Sequence, residues 1–295
     1  MGGYSGRILV LLAIMLLAVV AAKGASSEDL KVIPASEILN RIQKGELVEY
    51  DHVTVEGNLD LRTLNLQKSK NGLYLVTSSI IRINDSTING AMYFGKTKFE
   101  GSLNFQNTNF KGLVDFSNSI FSSNAFFSQA TFHRDAYFSG TMFGNNAFFD
   151  LTMFRGPADF SRAIFNSYAD FQNDTFGGDA SFGEATFIGE AWFFDVAFSG
   201  YATFMGALFH NDAVFRGSMF EDYVTFSNVT FSNLAEFSRV IFGNYADFHG
   251  TTFVQVNFIG ATFSGNINFD GATFGKYLNI ERNVNFIGGM LVQLG

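Results

Sequence analysis

The sequence predicts an all-β fold, a β-solenoid whose coils each contain about 22 amino acids. Phenylalanine recurs at alternating steps of five and six residues from Phe94 to Phe274, which gives 34 anchor positions. A fixed internal period of this kind predicts stacked, nearly identical units. The residue two positions before each anchor is usually Ala, Thr, Val or Ser. A spacing of two places the small side chain and the phenylalanine on the same face of a short strand.

The spacing of the anchors argues against a helical repeat and favours a four-sided coil. Steps of five and six residues would turn successive rings by roughly 140° and 240° on an α-helix, so the rings would scatter around it. Four sides of five, six, five and six residues instead place every fourth anchor in one column. Burying each ring contributes roughly 1.5–3 kcal/mol, and adjacent coils must close the core for each other. The predicted core ladder is Phe94, Phe116, Phe138, Phe160, Phe182, Phe204, Phe226 and Phe248.

Residues 1–24 are predicted to be a secretory signal peptide. Arg7 is followed by an uninterrupted apolar run from Ile8 to Ala22 and then by small residues, the pattern typical of such peptides. The run is short for a membrane span, which needs about 20 residues, so a retained N-terminal anchor is the alternative. Either outcome predicts an extracellular or cell-surface protein.

Residues 25–52 are predicted to form a linker and a short N-terminal capping helix. Ser36 can cap a helix from Ala35 to Lys44, and Gly45 can end it. The helix is expected to cover the open end of the solenoid, whose strand edges would otherwise be unpaired. The repeat region is predicted to span residues 53–295, with a loop over 67–72. The step from Phe253 to Phe258 is one residue short, which predicts a tighter corner rather than a break.

The repeating unit resembles that of the pentapeptide-repeat family. Two examples are the segments Ala158-Asp159-Phe160-Ser161-Arg162 and Ala246-Asp247-Phe248-His249-Gly250, and the resemblance covers about residues 83–288. It is closest in type to a Phe-centred, eleven-residue (5+6) variant, which resembles archaeal surface pentapeptide-repeat proteins. The resemblance implies a right-handed quadrilateral β-helix. Proteins of this kind differ widely in role, so the fold does not settle the function.

The composition and the motifs of the sequence exclude several kinds of catalytic and binding site. The chain has no cysteine, which excludes disulfides and thiolate catalysis. Neither a G-x-S-x-G nor an H-E-x-x-H motif occurs, and the four histidines share no metal-binding spacing. We therefore predict no catalytic residues and no cofactor. The net charge is −8, and the whole imbalance lies in residues 94–286, so binding to nucleic acid is not expected.

Two sets of surface residues are candidate sites. Tyr201, Tyr223 and Tyr245 recur at the period of one coil and are predicted to stack as a strip, which would either bind a glycan or a partner protein or simply stiffen the molecule. Glu190 and Asp212 form a weak candidate cation pair, since Ca²⁺ prefers oxygen ligands. Possible glycosylation sequons begin at the residues Asn84, Asn173 and Asn228.

These features favour an exported, non-catalytic scaffold or interaction protein of the cell surface. Its predicted partner is an unidentified protein or glycan of the cell envelope. A second copy could dock on the C-terminal coil through residues 280–295, as a homodimer or a stacked assembly. The alternative is an acidic DNA-mimic inhibitor of a DNA-binding enzyme, a role that the resemblance also allows.

Overall fold

The computed structural model describes residues 30–279 and 285–286. The chain divides into two compact units, Met1–Lys31 and Val32–Gly295, and the solenoid lies in the second. The predicted fold class is confirmed, since the solenoid has about 11 coils of about 22 residues with one short helix. That helix spans Ala35–Gln43, and a 3-10 turn covers Leu61–Thr63. No helix among the described residues has both the length and the apolar character needed to cross a membrane.

Each coil has four sides, and each side is a stack of short parallel strands. Side 1 is a ten-stranded sheet that consists of Leu59–Asp60, Met92–Tyr93, Val114–Asp115, Ala136–Tyr137, Ala158–Asp159, Ala180–Ser181, Ala202–Thr203, Val224–Thr225, Ala246–Asp247 and Ile267–Asn268. Side 4 is a twelve-stranded sheet that consists of Lys31–Pro34, Val53–Glu56, Thr87–Ile88, Asn109–Phe110, Thr131–Phe132, Met153–Phe154, Thr175–Phe176, Ala197–Phe198, Met219–Phe220, Ile241–Phe242, Thr262–Phe263 and Asn285–Phe286.

Sides 2 and 3 are joined into one 19-stranded sheet by three longer strands, Thr230–Glu236, Thr252–Asn257 and Thr273–Asn279, which run through the corner between them. The shorter strands of side 2 are Leu75–Thr77, Thr97–Phe99, Ile120–Phe121, Met142–Phe143, Ile164–Phe165, Thr186–Phe187 and Leu208–Phe209. Those of side 3 are Val48–Asp51, Ile81–Asn84, Leu103–Asn104, Ala125–Phe126, Ala147–Phe148, Ala169–Asp170, Ala191–Trp192 and Ala213–Val214. Gln67–Lys68 completes this sheet as the antiparallel partner of Leu75–Val76.

The register holds each residue above its equivalent in the preceding coil. Ala136 lies opposite Ala158, which lies opposite Ala180, a spacing of one repeat at every step. The inward positions are the small residue and the phenylalanine, and both are fully buried along the solenoid, as at Ala136 and Phe138. The core is therefore one continuous column of rings enclosed by four walls of small residues.

The rings pack in two ways. Equivalent rings of adjacent coils stack nearly parallel, as for Phe160 and Phe182, whose centroids are 5.0 Å apart with planes 2° apart. Rings on sides 1 and 3, which face each other across the core, meet edge to face, as for Phe149 and Phe160 at 5.3 Å and 87°. Both arrangements are favoured by the ring quadrupole and add to the burial of apolar area. The ladder from Phe94 to Phe248 follows this pattern except at its first step, where Phe94 and Phe116 are T-shaped.

The corners that follow sides 1 and 3 have a shared local structure. The residue two positions after the anchor has a left-handed backbone, as at Asn118 with φ 55° and Leu151 with φ 62°. The next residue is buried, and from Thr108 onward, where it is Ser or Thr, its hydroxyl donates to a main-chain carbonyl of the preceding coil. Thr141 donates in this way to the carbonyl oxygen of Phe116 at 2.7 Å, and Thr251 to that of Phe226 at 2.7 Å. These bonds satisfy polar groups that the corner buries.

The N-terminal end differs from the prediction in two respects. The helix begins after Pro34, which occupies the N-cap position without a side-chain hydrogen bond, so Ser36 is not the cap. Strands of the solenoid already precede Val53, because Val48–Asp51 pairs in parallel with Ile81–Asn84. Segment 25–52 thus contains the first strand of side 3. Ile38 and Ile42 of the helix are buried in the same core as the first coil.

Two irregularities interrupt the regular repeat. In the first coil the polar segment near 67–72 forms a hairpin, in which Gln67–Lys68 pairs with Leu75–Val76. The hairpin lengthens this coil, so Leu59 pairs with Met92, 33 residues later, instead of with a residue about 22 later. At the short step, the strand Thr230–Glu236 pairs with Thr252–Asn257 through a register shift between Phe231 and Leu234. Pairing then continues with Ala246 opposite Ile267. The tighter corner therefore absorbs the missing residue without breaking any side.

Candidate functional surfaces

Outward side chains repeat with the same period as the core, so the surface is organised in columns. Tyr201, Tyr223 and Tyr245 form one such column beside side 1. The ring centroids are 5.1 Å apart for the first pair and 5.3 Å for the second, with planes 9° and 2° apart. Partial burial, followed by the Asp247 charge, raises the pKa of Tyr223 and of Tyr245.

The stacking restricts what the tyrosine column can bind. The faces between successive rings are covered by the stacking, which leaves the ring edges, the hydroxyls and the outer faces of the two end rings for a ligand. A sugar that stacks on an aromatic residue needs an open ring face. The column is therefore better suited to stiffening the solenoid or to hydrogen bonding through its hydroxyls than to stacking a glycan.

Glu190 and Asp212 occupy equivalent positions on adjacent coils but have different partners. Glu190 Oε2 accepts a hydrogen bond from the indole Nε1 of Trp192 at 3.0 Å. Asp212 Oδ1 accepts from the main-chain nitrogen of Leu234 at 3.3 Å. A bound cation would compete with both hydrogen bonds, and the candidate cation pair stays a prediction.

Side 3 carries an outer aromatic column that the sequence analysis did not identify. Phe126 and Phe148 stack at 5.2 Å, Tyr168 packs edge-on against Phe148 at 6.2 Å, and Trp192 packs edge-on against Tyr168 at 6.1 Å. These side chains are half-buried. The available indication was a second aromatic residue directly before an anchor, as in Phe126-Phe127 and Phe148-Phe149. The core periodicity concealed it because both members of each pair are phenylalanine.

Side 4 carries a basic column at the positions that directly follow three successive anchors. It consists of Lys111, His133 and Arg155. Lys111 Nζ lies 2.9 Å from His133 Nε2. Burial lowers the pKa of His133, and the charges of Lys111 and Arg155 lower it further. Burial and the Arg155 charge likewise lower the pKa of the Lys111 ammonium group.

One cluster of potential metal ligands occurs among the described residues. Ligand atoms of Asp51, His52 and Asp85 lie within 4.8 Å of one another, and all three residues are exposed. Asp51 Oδ2 lies 2.9 Å from His52 Nδ1, and the amide of Asn107 donates to Asp85 Oδ1 at 2.6 Å. Each of the three side chains therefore has a polar partner in the part of the chain that the structure describes.

Asp174 is a charged residue type in a corner position that elsewhere holds Thr, Ser, Ala or Val. Its side chain is fully buried, and its Oδ1 accepts from the main-chain nitrogen of Thr152 at 2.8 Å. Oδ2 has no hydrogen-bond partner among the described residues. Burial raises the pKa of this carboxyl well above its ordinary value, and the charges of Asp170 and Asp150 act in the same direction.

The sequons occupy different environments. Asn173 and Asn228 are exposed at left-handed corner positions, with φ of 58° and 55°. Asn84 is half-buried on the strand Ile81–Asn84, and its Oδ1 is buried with no hydrogen-bond partner in the described part of the chain. Accessibility thus favours modification at the two corner residues, which stays a prediction.

Comparison with known proteins bears on the repeat itself. The family described as pentapeptide repeats (9 copies) matches residues 94–142, 105–153, 149–197 and 237–282, and together these segments cover about half of the chain. A search of the curated proteins found no match, so the resemblance to archaeal surface proteins gains no support there. The matched segments lie within the region of regularly stacked rings, and the chain belongs to the pentapeptide-repeat family.

Proposed function

We propose that this protein is an exported, non-catalytic scaffold that acts at the cell surface. The main support for the proposal is that the inward residues form a continuous, tightly packed core. From Phe94 to Phe263 every anchor ring is at most 2% exposed and packs against rings of adjacent coils. Such a core makes a rigid body whose outward side chains keep fixed spacings. A rigid body of this kind can hold partners apart or present a repeated surface to them.

Export is proposed from the N-terminal sequence, which lies outside the described residues. A basic residue, an apolar run and small residues in that order are typical of secretory signal peptides. The fold is compatible with export because its stability does not depend on cysteine or on disulfide formation.

The location can be tested by expressing the tagged full chain in cells and determining its mature N-terminus by mass spectrometry. We expect cleavage after Ala22 or Gly24 and digestion of the protein by a protease added outside intact cells. The control variant carries Leu12→Arg and Leu16→Arg, which interrupt the apolar run, and should remain inside. An unprocessed chain confined to the cytoplasm would contradict the proposal and would favour the acidic DNA-mimic alternative.

Self-association through the C-terminal coil is part of the same proposal. Most of residues 280–295 lie outside the described residues. In the coil before them, Tyr277 is 69% exposed and Leu278 42% exposed, and they lie close to the exposed Val254. Sedimentation velocity on the purified chain should detect a dimer that Tyr277→Ser with Leu278→Ser weakens. The matched control is Leu73→Ser, which removes an exposed leucine from the distant hairpin. A wild-type chain that stays monomeric at high concentration would remove self-association from the proposal.

A further inference from the structure

We propose that the basic column formed by Lys111, His133 and Arg155 is a binding site for an oxyanion. The ligand class is a sulfate, phosphate or carboxylate group, either free or carried on a polysaccharide. The inference does not depend on where the protein is located, because it concerns only the chemistry of this surface.

The column is built by the register of side 4. Phe110 lies opposite Phe132, and Phe132 lies opposite Phe154. The residue after each of these anchors is therefore held at the same place on three successive coils. At about 4.8 Å per coil, the three side chains span about 10 Å. This length suits one or two anionic groups and is too short to bind a nucleic-acid duplex on an acidic protein.

Among the described residues, the positive groups of the column have no acidic partner. Neither Lys111 nor Arg155 forms an ion pair with any residue in this part of the chain, and the same holds for the exposed Arg134 beside His133. The nearest acid along the chain, Asp135, accepts a hydrogen bond from the hydroxyl of Tyr137 at 2.9 Å. The positive charges of Lys111 and Arg155, two coils apart, repel each other, a cost that a bound anion would offset.

The contact between Lys111 and His133 restricts the protonation state of the imidazole. A lysine ammonium group can only donate, so a hydrogen bond between the two groups requires His133 Nε2 to accept and the imidazole to be neutral. An oxyanion between the side chains would accept from Lys111 in place of the imidazole. His133 could then bind a proton and donate to the same anion.

Neutral positions flank the column directly, and an acidic position follows them on each side. Towards the N terminus the equivalent position is Asn89, whose amide donates to Glu56 at 2.6 Å. Towards the C terminus the positions continue as Gly177, Ser199 and then Glu221. The site is thus a local reversal of charge on an acidic surface, which gives it selectivity for a short anionic segment.

The experiment follows the histidine ring resonances of the full-length chain by NMR during titration with sodium sulfate, with sodium phosphate and with dextran sulfate. Sodium chloride at matched ionic strength is the reference. We expect the pKa of His133 to rise by about one pH unit at saturation. Such a rise means that the anion binds the protonated ring about tenfold more tightly than the neutral ring. His210 follows an anchor on side 2, across the coil from side 4, and it should respond no more than it does to chloride.

The test variant carries Lys111→Gln and Arg155→Gln, and the matched control is Arg162→Gln at a left-handed corner elsewhere. Affinity should fall at least tenfold in the double variant and remain unchanged in the control. Tighter binding of dextran sulfate than of sulfate, compared per sulfate group, would identify a polymer-borne group, and equal binding a free anion. A His133 response no larger than that to chloride, or one that survives in the double variant, would overturn the proposal.

Discussion

Replacing Asp174 with threonine should stabilise the protein at neutral pH. At the equivalent corners a hydroxyl donates to a phenylalanine carbonyl of the preceding coil, as Thr152 does to Phe127 at 2.8 Å. The carboxyl group of Asp174 forms no such bond, and its Oδ2 is buried with no hydrogen-bond partner among the described residues. An unsatisfied buried polar group costs about 1–3 kcal/mol. We therefore expect Asp174→Thr to raise the free energy of unfolding by about that amount.

The raised pKa of Asp174 also determines how the stability gain of Asp174→Thr should change with pH. The folded-state pKa of Asp174 is raised above the ordinary 3.8, so in the window above 3.8 the folded chain keeps a proton that the unfolded chain has lost. Stability attributable to this group is complete below pH 3.8 and falls as the pH rises from there to the folded-state pKa. Each pH unit between the two pKa values costs about 1.4 kcal/mol. The advantage of Asp174→Thr should therefore be large at pH 7 and small near pH 4.

Urea denaturation followed by circular dichroism at pH 4, 5.5 and 7 measures both effects. Asp174→Ala is the informative second variant, because alanine occupies this corner of other coils at Ala130 and Ala261 and both are buried. It should give part of the gain, since it removes the carboxyl without adding the hydroxyl. Glu221→Gln, at an exposed acid, should change nothing. A threonine variant that is less stable than the wild type at pH 7, or an advantage independent of pH, would refute the reasoning.

Three further predictions concern the core, the tyrosine column and the corners. Phe160→Ala should lower the free energy of unfolding by about 3–5 kcal/mol and Phe160→Leu by clearly less, because the alanine leaves a cavity between stacked rings; equal losses in urea denaturation would contradict this. Tyr223→Ala should cost about 1 kcal/mol through lost stacking, with Tyr223→Phe nearly neutral, and ultraviolet titration should place the ionisation of Tyr223 above the ordinary 10.0. Leu151→Asn should raise the free energy of unfolding by about 1 kcal/mol in thermal denaturation, because Leu151 is 54% exposed at φ 62° and asparagine tolerates that conformation better. A loss of stability would show that the leucine side chain makes a contact that outweighs this gain.

The repeat made most of the fold predictable, because each side buries the same pair of inward residues against the adjacent coils. The step of five and six residues, together with a small residue two before each ring, determined the strands, their register and the short corner after Phe253. The N-terminal end was less predictable because its anchors are aliphatic and its cap is a proline. Val48 was missed for that reason, although it is fully buried and paired with Ile81.

The surface was less predictable than the core. Lys111, His133 and Arg155 are each separated by one full coil and follow different local sequences, so only the register of the phenylalanines brings them together. Asp174 was a similar case, since aspartate is a common turn residue and nothing local indicates that the corner buries it. Overall composition also concealed the basic column, because a chain of net charge −8 gives no indication of a local excess of bases.

The coil that lacks one residue shows how this architecture tolerates change. A deletion inside a strand would reverse the direction of every following side chain, whereas the corner after Phe253 absorbs the loss within a few residues. The hairpin inserted in the first coil is accommodated between strands in the same way. Codon gains and losses at bends can therefore accumulate during evolution while the walls stay intact, and such bends are the positions at which a foreign peptide could be inserted with least disturbance.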